Sequence, residues 1–233
     1  MNILEDLPAI RRPTAARPLL GHTILLVEDS RFACEAVRLM CLKSGADSLF
    51  HARQHLRVYR PSVAIIDLGL PDGCGEDLIE ELANASSRVD VLLATSGDLG
   101  GAKRAIDAGA DGFLEKPITH LAAFQTAILE HLPMDQRPRG LSLVSDECVS
   151  PDTVALRDDL ALAAETLIEA SSDSQIDYLT QFLGSVAQSS NDEILQTAVA
   201  DLARARLERT PIAPPLSRLA AEVQDRLFRT SPI

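Results

Sequence analysis

The sequence lacks several features that would define a class of protein at once. Its apolar runs fall far short of the roughly 20 residues that span a bilayer. Near the N-terminus it carries Glu5 and Asp6, where a signal peptide would carry basic residues and then an apolar core. The four cysteines form no CxxC pair and have no nearby histidine, which argues against a zinc site or a disulfide framework. We therefore expect a cytoplasmic protein with free thiols that does not bind membranes.

Positive charge is also scarce. The 233 residues have a formal net charge of −12, so no overall attraction to nucleic acid or to an anionic membrane is expected. Residues 142–233 carry 15 acids against 7 arginines and contain no lysine. A DNA-binding region normally shows a basic face, so binding of DNA by this part of the chain is disfavoured.

What the sequence does contain is a run of four apolar residues that ends in one aspartate, Asp67. Residues 63–75 read V-A-I-I-D-L-G-L-P-D-G-C-G. A short apolar run bounded by turn residues is typical of a strand that is buried on both faces. In open parallel sheets, ligands bind beyond the carboxyl ends of the strands. Asp67 is therefore predicted to lie where a ligand can reach it.

Apolar strand patterns alternate with helical spacing across residues 22–132. Strands are predicted at 24–27, 63–66, 89–94 and 112–115, with a weaker one at 48–51. Helices are predicted at 31–44, 52–60, 76–85 and 102–108, and from a cap at Thr119 to residue 132. This alternation indicates an α/β fold, a five-stranded doubly wound parallel sheet with helices on both faces.

Polar side chains follow four of the predicted strands, and they have a common chemical use. They are Glu28 and Asp29, Asp67, Thr95, and Lys116. Carboxylates bind a hard cation such as Mg²⁺, which offsets the repulsion between the acids and an incoming phosphoryl group. A carboxylate can then attack phosphorus, while a hydroxyl and an ammonium hold the phosphoryl oxygens.

At these residues the sequence resembles the receiver domain of two-component response regulators, over residues 22–132. An acidic pair follows the first strand, an aspartate ends the third with a proline four residues on and a glycine eight residues on, and a threonine ends the fourth. A lysine–proline pair, normally joined by a cis peptide, follows the fifth strand, and an aromatic residue lies three positions before the lysine. The corresponding residues are Glu28-Asp29, Asp67, Pro71, Gly75, Thr95, Phe113 and Lys116-Pro117.

The resemblance implies a flavodoxin-like fold and a phosphoacceptor at Asp67, served by a histidine kinase or a histidine-phosphotransfer protein. It implies a Mg²⁺ site made by Asp29, Asp67 and the backbone carbonyl of Gly69, with Glu28 binding directly or through water. Thr95 and Lys116 would contact the phosphoryl group, and Thr95 and Phe113 would act as switch residues. No enzymatic activity is expected beyond self-phosphorylation and dephosphorylation.

Two glycines flank the position where the phosphoryl group would lie. Gly69 and Gly97 come two residues after Asp67 and Thr95. Neither has a side chain that could shield an acyl phosphate or steer water toward it, so the sequence leaves the lifetime of that group open.

The remaining segments are predicted from composition. Prolines in residues 1–21 predict a flexible leader, and prolines, glycine and serines in 133–151 predict a linker. Residues 152–233 contain one glycine and show four apolar stripes at helical spacing, separated by breaks at 171–174, 189–191 and 211–215. These features predict an all-α bundle with an output or interaction role.

The output of the helical region stays open between three possibilities. The favoured one is a phosphorylation-controlled contact with a protein partner or with a second copy of the chain. The alternatives are a transcription regulator with an unrecognised helical DNA reader, and a phosphate sink. No histidine follows His131, so this region is not expected to carry a phosphoryl group itself.

Overall fold

A parallel sheet forms the centre of the first half of the chain in the computed structural model, which describes residues 12–44, 47–50, 60–71, 73–98, 100–138, 147–169 and 172–229. Its five strands are hydrogen-bonded in the order β2-β1-β3-β6-β7. They are β1 (Thr23–Val27), β2 (Asp47–Phe50), β3 (Val63–Asp67), β6 (Val91–Ser96) and β7 (Gly112–Glu115). A separate short hairpin joins β4 (Gly69–Leu70) to β5 (Gly73–Cys74).

Alternate residues of the central strands face two different apolar layers, because successive side chains of a strand point to opposite faces. Ile65 of β3 packs in one layer with α1 (Arg31–Ser44) and α4 (Leu121–Leu129). Ile66, the next residue, packs in the other layer with α2 (Gly75–Ala83) and α3 (Gly101–Asp107). This double burial explains why the strands read as unbroken apolar runs.

Several predicted boundaries differ from those observed. The helix predicted to be capped by Thr119 begins at Leu121, and its N-cap is His120, whose side chain makes no capping hydrogen bond. Thr119 instead accepts a backbone hydrogen bond from Val149 at its carbonyl oxygen. The strand predicted at 89–94 is shifted to Val91–Ser96. The helix predicted at 52–60 lies outside the described residues, apart from its last position.

The predicted leader and linker also reach into the folded domain. Leu19 is fully buried in the layer that contains α1, and its amide donates to the carbonyl of Ser44. The prediction of a flexible leader as far as residue 21 is therefore wrong at Leu19. Val149, placed in the predicted linker, is buried in the same layer. Residues 1–11 of the leader and 139–146 of the linker lie outside the described part of the chain.

The second half of the chain is helical, as predicted. Its helices are α5 (Thr153–Glu169), α6 (Asp173–Ser189), α7 (Glu193–Leu207) and α8 (Ala213–Arg229), and their apolar stripes form one core of their own. Ser172 caps α6 in a capping box with Gln175. The sequence break at 189–191 suggests Asn191 as the start of α7, but the observed N-cap is the next residue, Asp192. Within the described residues, no helix is both long enough and apolar enough to cross a membrane. The predicted fold class, a parallel α/β sheet followed by a helical region, is confirmed.

Candidate functional site

The carboxyl ends of β3 and β6 lie side by side, and the register of the sheet pairs Asp67 with Thr95. Asp67 is 4% exposed and Thr95 is fully buried. Gly75 lets the chain pass close behind Asp67, because a Cβ at this glycine would clash with the Asp67 carbonyl oxygen and lie 2.7 Å from the Leu68 Cα. The turn after β3 therefore requires glycine at this position.

Lys116 joins two of the carboxylates at this edge. Its Nζ lies 2.8 Å from Glu28 Oε2 and 3.0 Å from Asp67 Oδ2, and all three side chains are almost completely buried. Burial alone lowers the pKa of a lysine, but the two carboxylates outweigh it and raise the pKa of Lys116 above its usual value. Lys116 therefore stays positively charged, and its ammonium group can also attract an anion that binds beside Asp67.

Three carboxylates form a cluster that suits a hard cation. Within the described residues, Glu28, Asp29 and Asp67 each offer one oxygen, and these oxygens lie within 4.8 Å of one another. Burial raises the pKa of Glu28, an effect that Lys116 partly offsets. Burial also raises the pKa of Asp29. A divalent cation would reverse this effect by stabilising the charged forms, so the donor set fits Mg²⁺.

The remaining predicted residues surround this cluster. Among the described residues, the Thr95 Oγ1 is a buried oxygen without a hydrogen-bond partner, which is a position ready to bond an incoming polar group. The peptide between Lys116 and Pro117 is cis, as the resemblance implies. Phe113 is half-buried, and its ring edge would lie 3.2 Å from a Cβ at Gly101 at the start of α3.

Comparison with known families gives an independent result for the same part of the chain. Residues 24–128 match the family model described as the response regulator receiver domain. These residues form a receiver domain. The match contains every site residue predicted above, so the receiver domain holds the whole of the predicted phosphorylation site.

Curated relatives are similar over a stretch of about the same size. The transcriptional regulatory protein KdpE of the KDP operon in Escherichia coli is 31% identical over 99 residues, which are 40% of this chain and 44% of KdpE. The virulence transcriptional regulatory protein PhoP of Salmonella typhimurium is 30% identical over 100 residues, which are 40% of this chain and 45% of PhoP. The chain thus spans less than half the length of these relatives.

Solved receiver domains are also similar to this chain. The magnesium-bound receiver domain of the sensor histidine kinase PA1611 from Pseudomonas aeruginosa is 24% identical, with a TM-score of 0.43. The matched region is 47% of this chain and 96% of the PA1611 domain. The receiver domain of a signal transduction histidine kinase from Syntrophus aciditrophicus is 22% identical, with a TM-score of 0.44, and covers 53% of this chain and 99% of its own.

The helical bundle places side chains on the receiver domain that the sequence did not point to. The Tyr178 hydroxyl of α6 donates a hydrogen bond of 2.6 Å to Asp29 Oδ2, across 149 residues of sequence. Burial and the neighbouring Asp29 raise the pKa of Tyr178, so the phenol remains a donor. No local pattern around Tyr178 marks it as a partner of the acidic cluster.

The two glycines beside the phosphoryl position face the same helix. A Cβ at Gly69 would lie 2.7 Å from the Gln181 Cδ, and its space is taken by the Gln181 amide. A Cβ at Gly97 would lie 3.3 Å from Gln188 Oε1 and 3.7 Å from Ser185 Oγ. Side chains of α6 therefore occupy the space that side chains at positions 69 and 97 would fill.

Asp159 of α5 binds the start of α1, which follows the acidic pair. Its carboxylate accepts hydrogen bonds from Ser30 Oγ at 2.7 Å, from the Arg31 amide at 2.8 Å and from the Phe32 amide at 3.1 Å. The first amides of a helix have no partner within the helix, and here a residue more than a hundred positions away supplies one. Asp159 is 1% exposed, so this cap belongs to the interior of the contact between bundle and receiver domain.

Proposed function

We propose that Asp67 is the phosphoacceptor of a two-component response regulator. One Asp67 carboxylate oxygen attacks phosphorus, the bond from phosphorus to the donor breaks, and an acyl phosphate forms on Asp67. The observation that carries this proposal is the position of Lys116, which bonds to Asp67 and Glu28 together at the strand ends. Lys116 and the Thr95 hydroxyl would contact the phosphoryl oxygens.

A magnesium ion is the proposed cofactor. Asp29, Asp67 and the Gly69 carbonyl would hold it, with Glu28 binding directly or through water. When bound, the ion neutralises part of the negative charge of the acids and the phosphoryl group. The carboxylate cluster supports this proposal.

The phosphoacceptor role is tested with acetyl phosphate and Mg²⁺, followed by intact-protein mass spectrometry. We expect the mass of one phosphoryl group to be added, and no addition in Asp67→Asn or in the presence of a chelator. Asp107→Asn is the matched control, because Asp107 is an exposed acid of the same domain that pairs with Lys103. Equal phosphorylation of Asp67→Asn and Asp107→Asn would refute the assignment.

We further propose that the output is a protein contact or a homodimer. The support comes from the arginines of the bundle, most of which are already neutralised by acids of the same bundle. The pairs are Arg204–Asp201, Arg206–Asp177, Arg218–Asp201, Arg226–Asp192 and Arg229–Asp225. Molar mass in solution with and without beryllofluoride tests the homodimer, with Asp67→Asn as the control.

The names of KdpE and PhoP, both transcriptional regulators, favour DNA binding as the second candidate. A retarded band with duplex DNA that weakens steeply as salt rises would support this candidate. A phosphate sink would instead show fast dephosphorylation with no change in association.

A further inference from the structure

The face of the bundle formed by α5 and α6 lies over the edge of the sheet that contains Asp67. We call the surface formed by Asp29, Gly69 and Gly97 the acceptor face, because these residues follow the carboxyl ends of the paired strands β1, β3 and β6, of which β3 ends in Asp67. Tyr178 bonds to Asp29, Gln181 fills the space over Gly69, and side chains of α6 face Gly97. The acceptor face is therefore covered by the chain's own helix.

Helices cover both faces of the sheet on either side of Asp67. α1 and α4 cover one face of the sheet, while α2 and α3 cover the other. A phosphoryl donor must bring phosphorus to within about 3–3.5 Å of the attacking oxygen, and the strand ends are where ligands reach a sheet of this kind. α6 lies across these strand ends, where Tyr178 contacts Asp29 and Gln181 contacts Gly69.

Each of the two units has an apolar cluster of its own, and polar groups contribute to the contact between them. Among the described residues, the apolar cluster of the bundle contains no residue of the receiver domain, and the two apolar layers of the receiver domain contain no residue of the bundle. Polar contacts join them, made by Tyr178 to Asp29, by Asp159 to the start of α1, and by Arg31 to Asp158. Polar contacts between domains permit relative motion, so the bundle can leave without exposing either core.

We infer that the α5–α6 face and the phosphoryl donor compete for the acceptor face, so that phosphorylation of Asp67 requires the bundle to undock. This inference rests on the proposed phosphoacceptor role. A donor protein meets the same obstacle as a small donor, because its phosphorylated side chain must reach the same carboxylate. By linkage, occupation of Asp67 must in turn weaken the docking of α6.

A reversible lock tests the inference in the full chain. Gly97→Cys with Ser185→Cys places two thiols at facing positions, because a Cβ at Gly97 would lie 3.7 Å from the Ser185 Oγ. The exposed native thiols Cys74 and Cys148 are changed to serine. With acetyl phosphate and Mg²⁺, we expect the oxidised protein to be phosphorylated at least tenfold more slowly than the same protein after reduction.

A second variant weakens the contact between the bundle and the receiver domain instead of locking it. It therefore distinguishes an effect of undocking from a local effect of the disulfide at Gly97. Asp159→Ala removes the buried cap of α1 and is expected to raise the rate of phosphorylation by acetyl phosphate at least fivefold. Asp158→Ala is the matched control, because it removes only the exposed ion pair with Arg31 and is expected to leave the rate within twofold.

The outcomes distinguish this inference from the proposed function. If the reduced double-cysteine protein is not phosphorylated and wild type is not phosphorylated either, the phosphoacceptor role fails. The other case is that both proteins are phosphorylated. If oxidation then leaves the phosphorylation rate unchanged, or if Asp159→Ala is phosphorylated no faster than Asp158→Ala, the competition is refuted and the phosphoacceptor role stands. A third readout needs no donor: beryllofluoride with Mg²⁺ should speed amide hydrogen exchange in α6 of wild type but not of Asp67→Asn, and equal exchange in both would also overturn the inference.

Discussion

Two neighbouring hydroxyl residues at the end of β6 allow stability and function to be separated. Thr95 and Ser96 are both buried, but they differ in hydrogen bonding. Among the described residues, Thr95 Oγ1 is buried without a partner, whereas Ser96 Oγ accepts a hydrogen bond of 3.1 Å from the Asp98 amide. We predict that Thr95→Val raises the stability of the receiver domain while it lowers phosphorylation.

The magnitude follows from the environment of the hydroxyl. A buried hydroxyl without a hydrogen bond costs about 1–3 kcal/mol relative to water, and valine replaces it with a methyl group of similar size on a β-branched side chain suited to a strand. We expect Thr95→Val to raise the free energy of unfolding by about 1–2 kcal/mol. Ser96→Ala removes a made hydrogen bond and should lower it by about 1 kcal/mol.

Native-state hydrogen exchange of the β6 amides is the suitable assay, because it reports on the receiver domain separately from the bundle. Phosphorylation by acetyl phosphate is measured on the same variants, and Thr95→Val is expected to slow it at least tenfold, since the hydroxyl is proposed to contact the phosphoryl group. If Thr95→Val proves less stable than wild type, the hydroxyl has a partner in solution and the reasoning from an unpaired oxygen is refuted.

Three further predictions concern other parts of the molecule. Gly75→Ala should destabilise the receiver domain by about 1–3 kcal/mol and slow phosphorylation, because its Cβ clashes with the Asp67 carbonyl oxygen; unchanged urea unfolding would contradict this. Lys116→Met should lower the free energy of unfolding by about 3–5 kcal/mol, since two buried carboxylates lose their counter-charge, and a loss below about 1 kcal/mol would contradict this role of Lys116. Arg226 holds the pKa of Asp192 below its usual value of 3.8, so their stabilisation is complete above about pH 5 and is lost as pH falls through the lowered pKa. Asparagine can still cap α7 but loses the ion pair with Arg226, so Asp192→Asn should be less stable than wild type by about 0.5–1 kcal/mol at neutral pH. The difference should shrink in denaturation series taken toward pH 3; a constant difference would argue against the pair.

The elements that could be predicted from sequence are those whose pattern is set by local geometry and burial. β3 was predicted because both of its faces are buried, and the four helices of the bundle were predicted because each has one apolar stripe. Errors occurred where a long-range contact decides the outcome. Leu19 lies among prolines in the sequence but is buried in the layer that contains α1. Thr119 resembles a helix cap in the sequence, but its carbonyl accepts a hydrogen bond from the Val149 amide.

The sequence also placed the acidic cluster, Thr95 and Lys116 at one edge of the sheet, for a simple geometric reason. Parallel strands have all their carboxyl ends at the same edge, so residues at corresponding strand ends must lie close together. The distances from Lys116 Nζ to Glu28 and Asp67 agree with that expectation. This part of the site needs no contact between distant domains.

The sequence by itself determined the sheet, the bundle and the residues gathered at the strand ends, because periodicity and strand polarity act within each unit. Tertiary structure alone decided where the bundle lies. Tyr178 meets Asp29 across 149 residues and Asp159 meets Ser30 across 129, and no periodic pattern encodes a polar contact between two units that each bury their own core. Gly69 and Gly97 show the difference most directly. From the sequence we inferred only that these two positions lack side chains, whereas the structure shows that side chains of α6 occupy the space beside them.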